Sequence, residues 1–458
     1  MSGVMRGMAG LMSGSGLWAR VMRGSALTVL GFGGTTLLRF GTNLILARLL
    51  FPEAFGLMLL LSLLMVGLQM FSDMGLTPSI LRSPRGDERD FLDTAWTIQV
   101  LRGFGLWLAA CALAWPMAQF YGAPELVTMA PVMALTLVIS GFNPTRIDTA
   151  GRHLLIGRLT VLDLVAQAVG MASMVVLAWV TGSVWALVAG NIVVAVTRLA
   201  LTSAYLPGPA NRFRWEAAAV SELFNFGKWI FLSTIAGFLF MHADKTVLGR
   251  YLATDMLGIY NIAYALASFP LLLATALSHR LMLPIYRERP PAESPDNFRH
   301  LRRMRFMLTG GTLVFSAVLA VVGADLVWFL YDPRYAMAAS MVVVIAVVLL
   351  GQIIPLTYDQ AALAAGDSAR FFWMLAGRAI IQLAAFVIGV ELFGLAGAFV
   401  GQAVGLVASY VLVALMVRRY RVVDLYHDGL AWLAMLALGA VVVVLHHDLL
   451  LALIALEI

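Results

Sequence analysis

Arg39, Arg48, Arg102, Lys245 and Arg250 stand within or at the ends of long apolar runs, as do Asp73, Asp163 and Asp244. An ionisable side chain inside such a run costs a few kcal/mol and normally faces a bundle interior or a wet cavity. Arg39 lies sixteen residues past Arg23 and nine before Arg48, which puts it near the middle of its span. Arg102 lies nine residues past Asp93, about 14 Å along a helix. Asp244 and Lys245 belong to the outer part of a span. Asp73 lies near an inner end and Asp163 one turn inside. Each could instead form a buried ion pair or reach the interface along its own stem, but Arg39 is too deep to do so easily. A guanidinium offers a rigid fork of donors that grips phosphate or carboxylate. This set therefore suits an anionic ligand; a cavity for cationic drugs should show unpaired acids.

Other chemistries fail on spacing. The pair Gly227–Lys228 has Glu222 where a phosphate-cradling loop needs its first glycine, and Trp229 where it needs Ser or Thr. The seven histidines form no metal-spaced set; His446, His447 and Asp448 are adjacent and point to different helix faces. The DERD run at 87–90 is interleaved with Arg85 and Arg89 and reads as a solvated loop. No enzyme, metal, cofactor or nucleic-acid partner is expected, and the longest polar segment, 285–305, leaves no room for a catalytic domain.

The elements that must hold these charges are membrane helices. Of 458 residues, 61% are hydrophobic and only 12% charged, against about 25% charged in soluble domains. Twelve stretches of roughly 20 apolar residues could each cross a bilayer: 26–48, 54–80, 94–118, 126–142, 159–180, 184–205, 229–250, 256–280, 306–330, 336–355, 371–392 and 394–417. A thirteenth follows at 430–445, and a short apolar run closes the chain. Cys111 is the single cysteine, so no internal disulfide can form. Residues 1–24 lack the apolar core and cleavage site of a signal peptide; Val4, Met5, Met8, Leu11 and Met12 share a helical face that could lie in the interface.

Twenty-five of the 31 basic residues lie before the first span or in and around the even-numbered loops, against four on the other side. By the positive-inside rule the amino terminus and those loops are cytoplasmic.

The two halves repeat. LARLLFPEAFGL at 46–57 aligns with LGRYLATDMLGI at 248–259, pairing Arg48 with Arg250 and Gly56 with Gly258. Pro144 and Asp148 recur as Pro355 and Asp359, and Gly182 as Gly394. The expected organisation is a cytoplasmic segment 1–25, a six-helix bundle 26–205, a linker 206–220, a second bundle 221–420 and a further membrane segment 421–458. With an even number of spans per half, the repeat is parallel, as in transporters that rock two matched bundles.

The segments NLILARLLFPEAFG, FSDMGL, PTRIDTAGR and DKTVLGRYL with LGIYNIAYALA resemble the polysaccharide-exporter branch of the multidrug/oligosaccharidyl-lipid/polysaccharide flippase superfamily over about residues 25–420. The resemblance implies an all-α fold of two six-helix bundles around a central cavity. It also implies transfer of a polyprenyl-diphosphate-linked oligosaccharide between leaflets of a bacterial inner membrane, driven by a proton or sodium gradient. Cavity cations would engage the diphosphate, and Arg39, Arg48 and Arg250 occupy matching regions. Arg102 and Lys245 join them as substrate-binding candidates, and Asp73, Asp163 and Asp359 are the candidates for ion coupling. Membrane lipids and a polysaccharide polymerase or export apparatus are the other expected partners. The alternatives are an ion-coupled multidrug exporter of the same fold, disfavoured by the intramembrane arginines, and a membrane polymerase or ligase, disfavoured by the absence of a large outer loop.

Overall fold

The computed structural model describes residues 17–72, 75–153 and 155–455, and the elements among them are helices, with no strand. Asp73 and the amphipathic face at 4–12 lie outside the described residues. Nine helices among those described are long and apolar enough to cross a membrane, ten if the pair Leu126–Gly141 and Arg146–Arg152, bent by 57°, forms one span. The thirteenth stretch is one of these, the helix Leu425–Leu445. After it comes His447–Ile454, eight residues, only about 12 Å long and unable to cross alone.

A helix apolar on every face must be covered on every face, by protein or by lipid. Its backbone groups are satisfied within the helix, so only its ends need polar partners. Ser294 supplies one, accepting from Asn297 N at 3.1 Å with Pro295 opening the helix Pro295–Leu330. Asp367 caps the helix Ser368–Val417 through Arg370 N. The Tyr420 hydroxyl and that backbone N–H donate to its carboxyl and hold it below the usual carboxylate range.

The helix Ser368–Val417 has 50 residues, and if straight would run about 75 Å, more than twice the hydrocarbon thickness. It is broken at Phe393 and Gly394, where φ/ψ of 58/−143 at Gly394 is open only to glycine. The repeat partner Gly182 has φ of 59 at the end of the helix Ile156–Thr181. The recurring glycine therefore marks the same reversal in each half. Beyond the break the limbs run back along each other, so closely that a Cβ on Gly401 would sit 2.2 Å from the Ala385 carbonyl oxygen.

The chain divides into two compact units, residues 1–50 with 61–231, and 51–60 with 232–458. The division falls inside the helix Ala217–Tyr251. In the first unit the polar stretch at 206–216 is laid along the start of the helix Arg89–Tyr121. Asp93 accepts from Arg212 N at 3.1 Å, Thr97 from Arg214 N at 3.0 Å and Thr94 from Glu216 N at 3.2 Å. Arg85 grips Glu216 at 2.8 Å. Below them Ile80, Phe91, Ala95 and Leu223 form a buried core.

In the second unit the recurring glycines Gly56 and Gly258 meet. A Cβ on Gly56 would lie 1.8 Å from the Thr254 carbonyl oxygen, and one on Gly258 would lie 1.9 Å from that of Pro52. Each glycine lets the helix of one repeat approach the backbone of the other, so both repeats need the same residue.

Candidate functional site

The second unit encloses a cavity of about 520 Å3, lined from the helices Ala217–Tyr251, Thr254–Ala267, Phe269–Glu288, Ile353–Ala364 and Ser368–Val417. Two sequence-predicted residues, Lys245 and Asp359, line it together. The Lys245 ammonium stands 3.7 Å from the ring centroid of Tyr264, a cation–π contact. Its neighbour Asp244 is buried and accepts from the Tyr260 hydroxyl at 2.7 Å. Asp359 Oδ1 accepts from Arg378 at 2.6 Å, and the Arg378 guanidinium lies 4.3 Å from the Phe240 ring centroid. Gln360 and His279 are in hydrogen-bond contact at 2.9 Å.

Four buried polar atoms on the wall have no hydrogen-bond partner among the described residues: Arg378 Nε, Gln382 Nε2, Gln402 Oε1 and His242 Nδ1. Leaving such a group unmet costs about 1–3 kcal/mol, which is why buried unmet groups are few in native proteins. Gln382 and Gln402 stand on opposite limbs of the broken helix and line the same cavity. A Cβ on Gly405 would lie 3.3 Å from Gln382 Cα.

By sequence Arg378 counts among the cytoplasmic-side charges although it falls within the stretch 371–392. It stands ten residues inside the helix that begins at Ser368 and is 4% exposed. Gln382 and Gln402 carry no charge, so the pattern of ionisable residues does not mark them. Their signal was a lone amide in each of the apolar runs RAIIQLAAF and AFVGQAVGL.

The other predicted residues lie elsewhere. Arg39 is exposed on the helix Leu17–Leu49, and no hydrogen bond or ion pair involves it among the described residues. Arg48 and Arg250, partners in the repeat, are exposed in the last turns of equivalent helices. Arg102 donates to Ser72 Oγ at 2.9 Å and to the Gln69 carbonyl at 3.0 Å, fastening the end of the second span. Asp163 is paired with Arg198 at 2.7 Å.

A second buried polar cluster lies in the second unit, also unforeseen. Arg305, read from sequence as a loop residue, is fully buried. It stacks 3.9 Å from the Tyr358 ring centroid and donates to the Val422 carbonyl at 2.8 Å and to the Tyr286 hydroxyl at 2.9 Å. Asp428 accepts from Tyr358 at 2.6 Å and Tyr410 at 2.9 Å, and contacts His427 Nδ1 at 2.9 Å. Among the described residues no group of three His, Cys, Asp or Glu side chains could hold a metal ion.

Residues 45–327 match the family model described as polysaccharide biosynthesis protein. The chain is 28% identical over 256 residues to a succinoglycan biosynthesis transport protein of Rhizobium meliloti (strain 1021), covering 55% of this chain and 50% of that protein. It is 23% identical over 290 residues to a lipopolysaccharide biosynthesis protein of Escherichia coli (strain K12), covering 61% of this chain and 56% of that one. The matches thus span little more than half the length of these relatives. Among solved structures it is similar to a lipid II flippase in an inward closed conformation (TM-score 0.66, 10% identity, 93% of this chain and 99% of that one). It is also similar to an inward-facing multidrug resistance transporter of the MATE family and MOP superfamily (TM-score 0.62, 16% identity, 84% and 94%). At such identities the fold is what is shared.

Proposed function

The chain belongs to the polysaccharide biosynthesis protein family, and from that premise we propose that it moves a polyprenyl-diphosphate-linked oligosaccharide from the cytoplasmic to the outer leaflet of a bacterial inner membrane. The observation that carries this reading is the family match over residues 45–327 in a chain made of membrane-spanning helices. The fold shared with a lipid II flippase supports it. The polyprenyl tail stays in lipid while the diphosphate and sugars pass the protein. Arg39, Arg48, Arg102, Lys245 and Arg250 are the proposed cations on that route. Asp73, Asp163 and Asp359 are the proposed coupling acids, since the sequence holds no phosphate-cradling loop and an ion gradient can drive such a cycle.

Deletion of the gene should make lipid-linked oligosaccharide accumulate on the cytoplasmic side, and re-expression should restore export only while the ion gradient is intact. Unchanged export in the deletion strain would refute the reading. Asp359→Asn and Asp163→Asn should lower gradient-driven export in the same assay.

The orientation is proposed from the charge bias. The helix Pro295–Leu330 has 36 residues, about 54 Å, enough to cross the membrane and extend beyond it. A reporter fused near Asn297, at its start, should register as cytoplasmic, and one near Asp332, past its end, as periplasmic. The reverse at either point would overturn the orientation.

A further inference from the structure

We propose that the cavity of the second unit binds an uncharged sugar ring through Gln382 and Gln402, and not the diphosphate. This rests on the flippase reading and assigns the part of its substrate that this cavity takes.

The first argument is charge. Lys245 and Arg378 on the cavity wall are balanced by Asp244 and Asp359. Arg378 is already engaged by Asp359 at 2.6 Å, and Lys245 lies against Tyr264 at 3.7 Å. A diphosphate entering here would have to break the pair or sit beside two carboxylates, and either is costly. The cavity that sequence reasoning would have given to an anion through Lys245 offers no net positive charge.

The second argument is the polarity of the unmet atoms. Arg378 Nε can only donate, whereas each glutamine amide presents a donor at one end and an acceptor at the other. Gln382 Nε2 and Gln402 Oε1 are the ends left open. A phosphate accepts only and would leave the glutamine acceptor facing another oxygen. A hydroxyl both donates and accepts, so a ring carrying several can meet donors and acceptors together. Phe371 and Phe386, on the same wall, supply apolar area for the C–H face of a pyranose. A volume of about 520 Å3 falls in the ~300–1,000 Å3 range of small-molecule sites that combine apolar walls with a few placed polar groups.

The full chain in lipid nanodiscs, probed by saturation-transfer difference NMR with glucose, galactose, mannose and N-acetylglucosamine, tests the assignment. Transfer to ring C–H protons is expected for at least one of the four. Gln382→Met and Gln402→Met, which keep length and shape, should each weaken it about tenfold, the equivalent of one net hydrogen bond. Inorganic pyrophosphate should not displace the sugar. No transfer to any of the four, transfer unaltered in both variants, or displacement by pyrophosphate would overturn the proposal. If a variant fails to fold, pyrophosphate competition on the parent chain still decides. A chain that binds sugar in this way but exports no lipid-linked oligosaccharide refutes the transport reading and leaves the cavity assignment standing. Export without sugar binding does the reverse.

Discussion

Arg39→Ala should fold and insert like the parent chain yet lose export of lipid-linked oligosaccharide by about ten- to a hundredfold, the range spanned by one hydrogen bond to a charged group. Two partners are conceivable for a guanidinium in the middle of a span: a structural acid or the ligand. With a structural acid, truncation would strand a buried charge and destabilise the protein by about 3–5 kcal/mol. We propose the ligand. Arg39 is exposed, and no acid is bonded to it among the described residues. Gly41, Thr42 and Asn43, next to it, are small or polar and none is buried. A charge so placed is tolerated where water or an anion reaches it. Arg39→Lys should restore part of the export, since an ammonium keeps the charge and loses the two-pronged grip. Thermal unfolding of both variants beside the export assay separates the cases. A stable Arg39→Ala chain with undiminished export would refute the role.

The residues that were legible in sequence are those whose constraint is local or recurs. Apolar runs of span length became helices because a chain in hydrocarbon has few other ways to satisfy its backbone. Gly182 and Gly394 were visible as a repeat, and the structure supplies the reason in their shared positive φ. Gly56 and Gly258 were visible likewise, and they turn out to face each other. The break at Phe393 and Gly394 was legible as the boundary between the stretches 371–392 and 394–417.

What sequence could not give is which polar residues lie on a protein-facing side, because that depends on partners far along the chain. Arg302, Arg303 and Arg305 read as one basic loop. In the helix Pro295–Leu330 they point in different directions, and only Arg305 is swallowed, by Tyr286, Tyr358 and Val422, which lie 19, 53 and 117 positions away. Asp93 was counted as a marker at the start of a span, but its carboxylate holds Asn211 and Arg212 from the stretch read as a linker. Lys245 and Asp359 were singled out as separate charges, and their shared cavity became visible only with Arg378 and the glutamines between them.

Asp428→Ala should cost about 3–5 kcal/mol, the scale for removing one member of a buried ionic network, read as an earlier thermal midpoint of the full chain in nanodiscs. Asp428 and His427 are 1% and 0% exposed, and Arg305 is 0% exposed. Their bonds tie the helix Leu425–Leu445 to Pro295–Leu330 through Thr309, which meets His427 Nε2 at 3.1 Å, and to Ile353–Ala364 through Tyr358. Arg302 reinforces the same junction through Asp424, its Nη2 donating at 2.9 Å. Without the Asp428 carboxylate, the Tyr358 and Tyr410 hydroxyls lose their acceptor and the buried Arg305 charge loses an anion that acts on it. Asp428→Asn keeps an acceptor and removes the charge, so its loss should be smaller. Adding Arg305→Met to Asp428→Asn should then recover stability, because no uncompensated charge remains inside. Recovery would mark the two charges as coupled, whereas simply additive losses would show that they are not. A midpoint unmoved by Asp428→Ala would mean that apolar packing around Met435 and Ala431 holds this helix unaided.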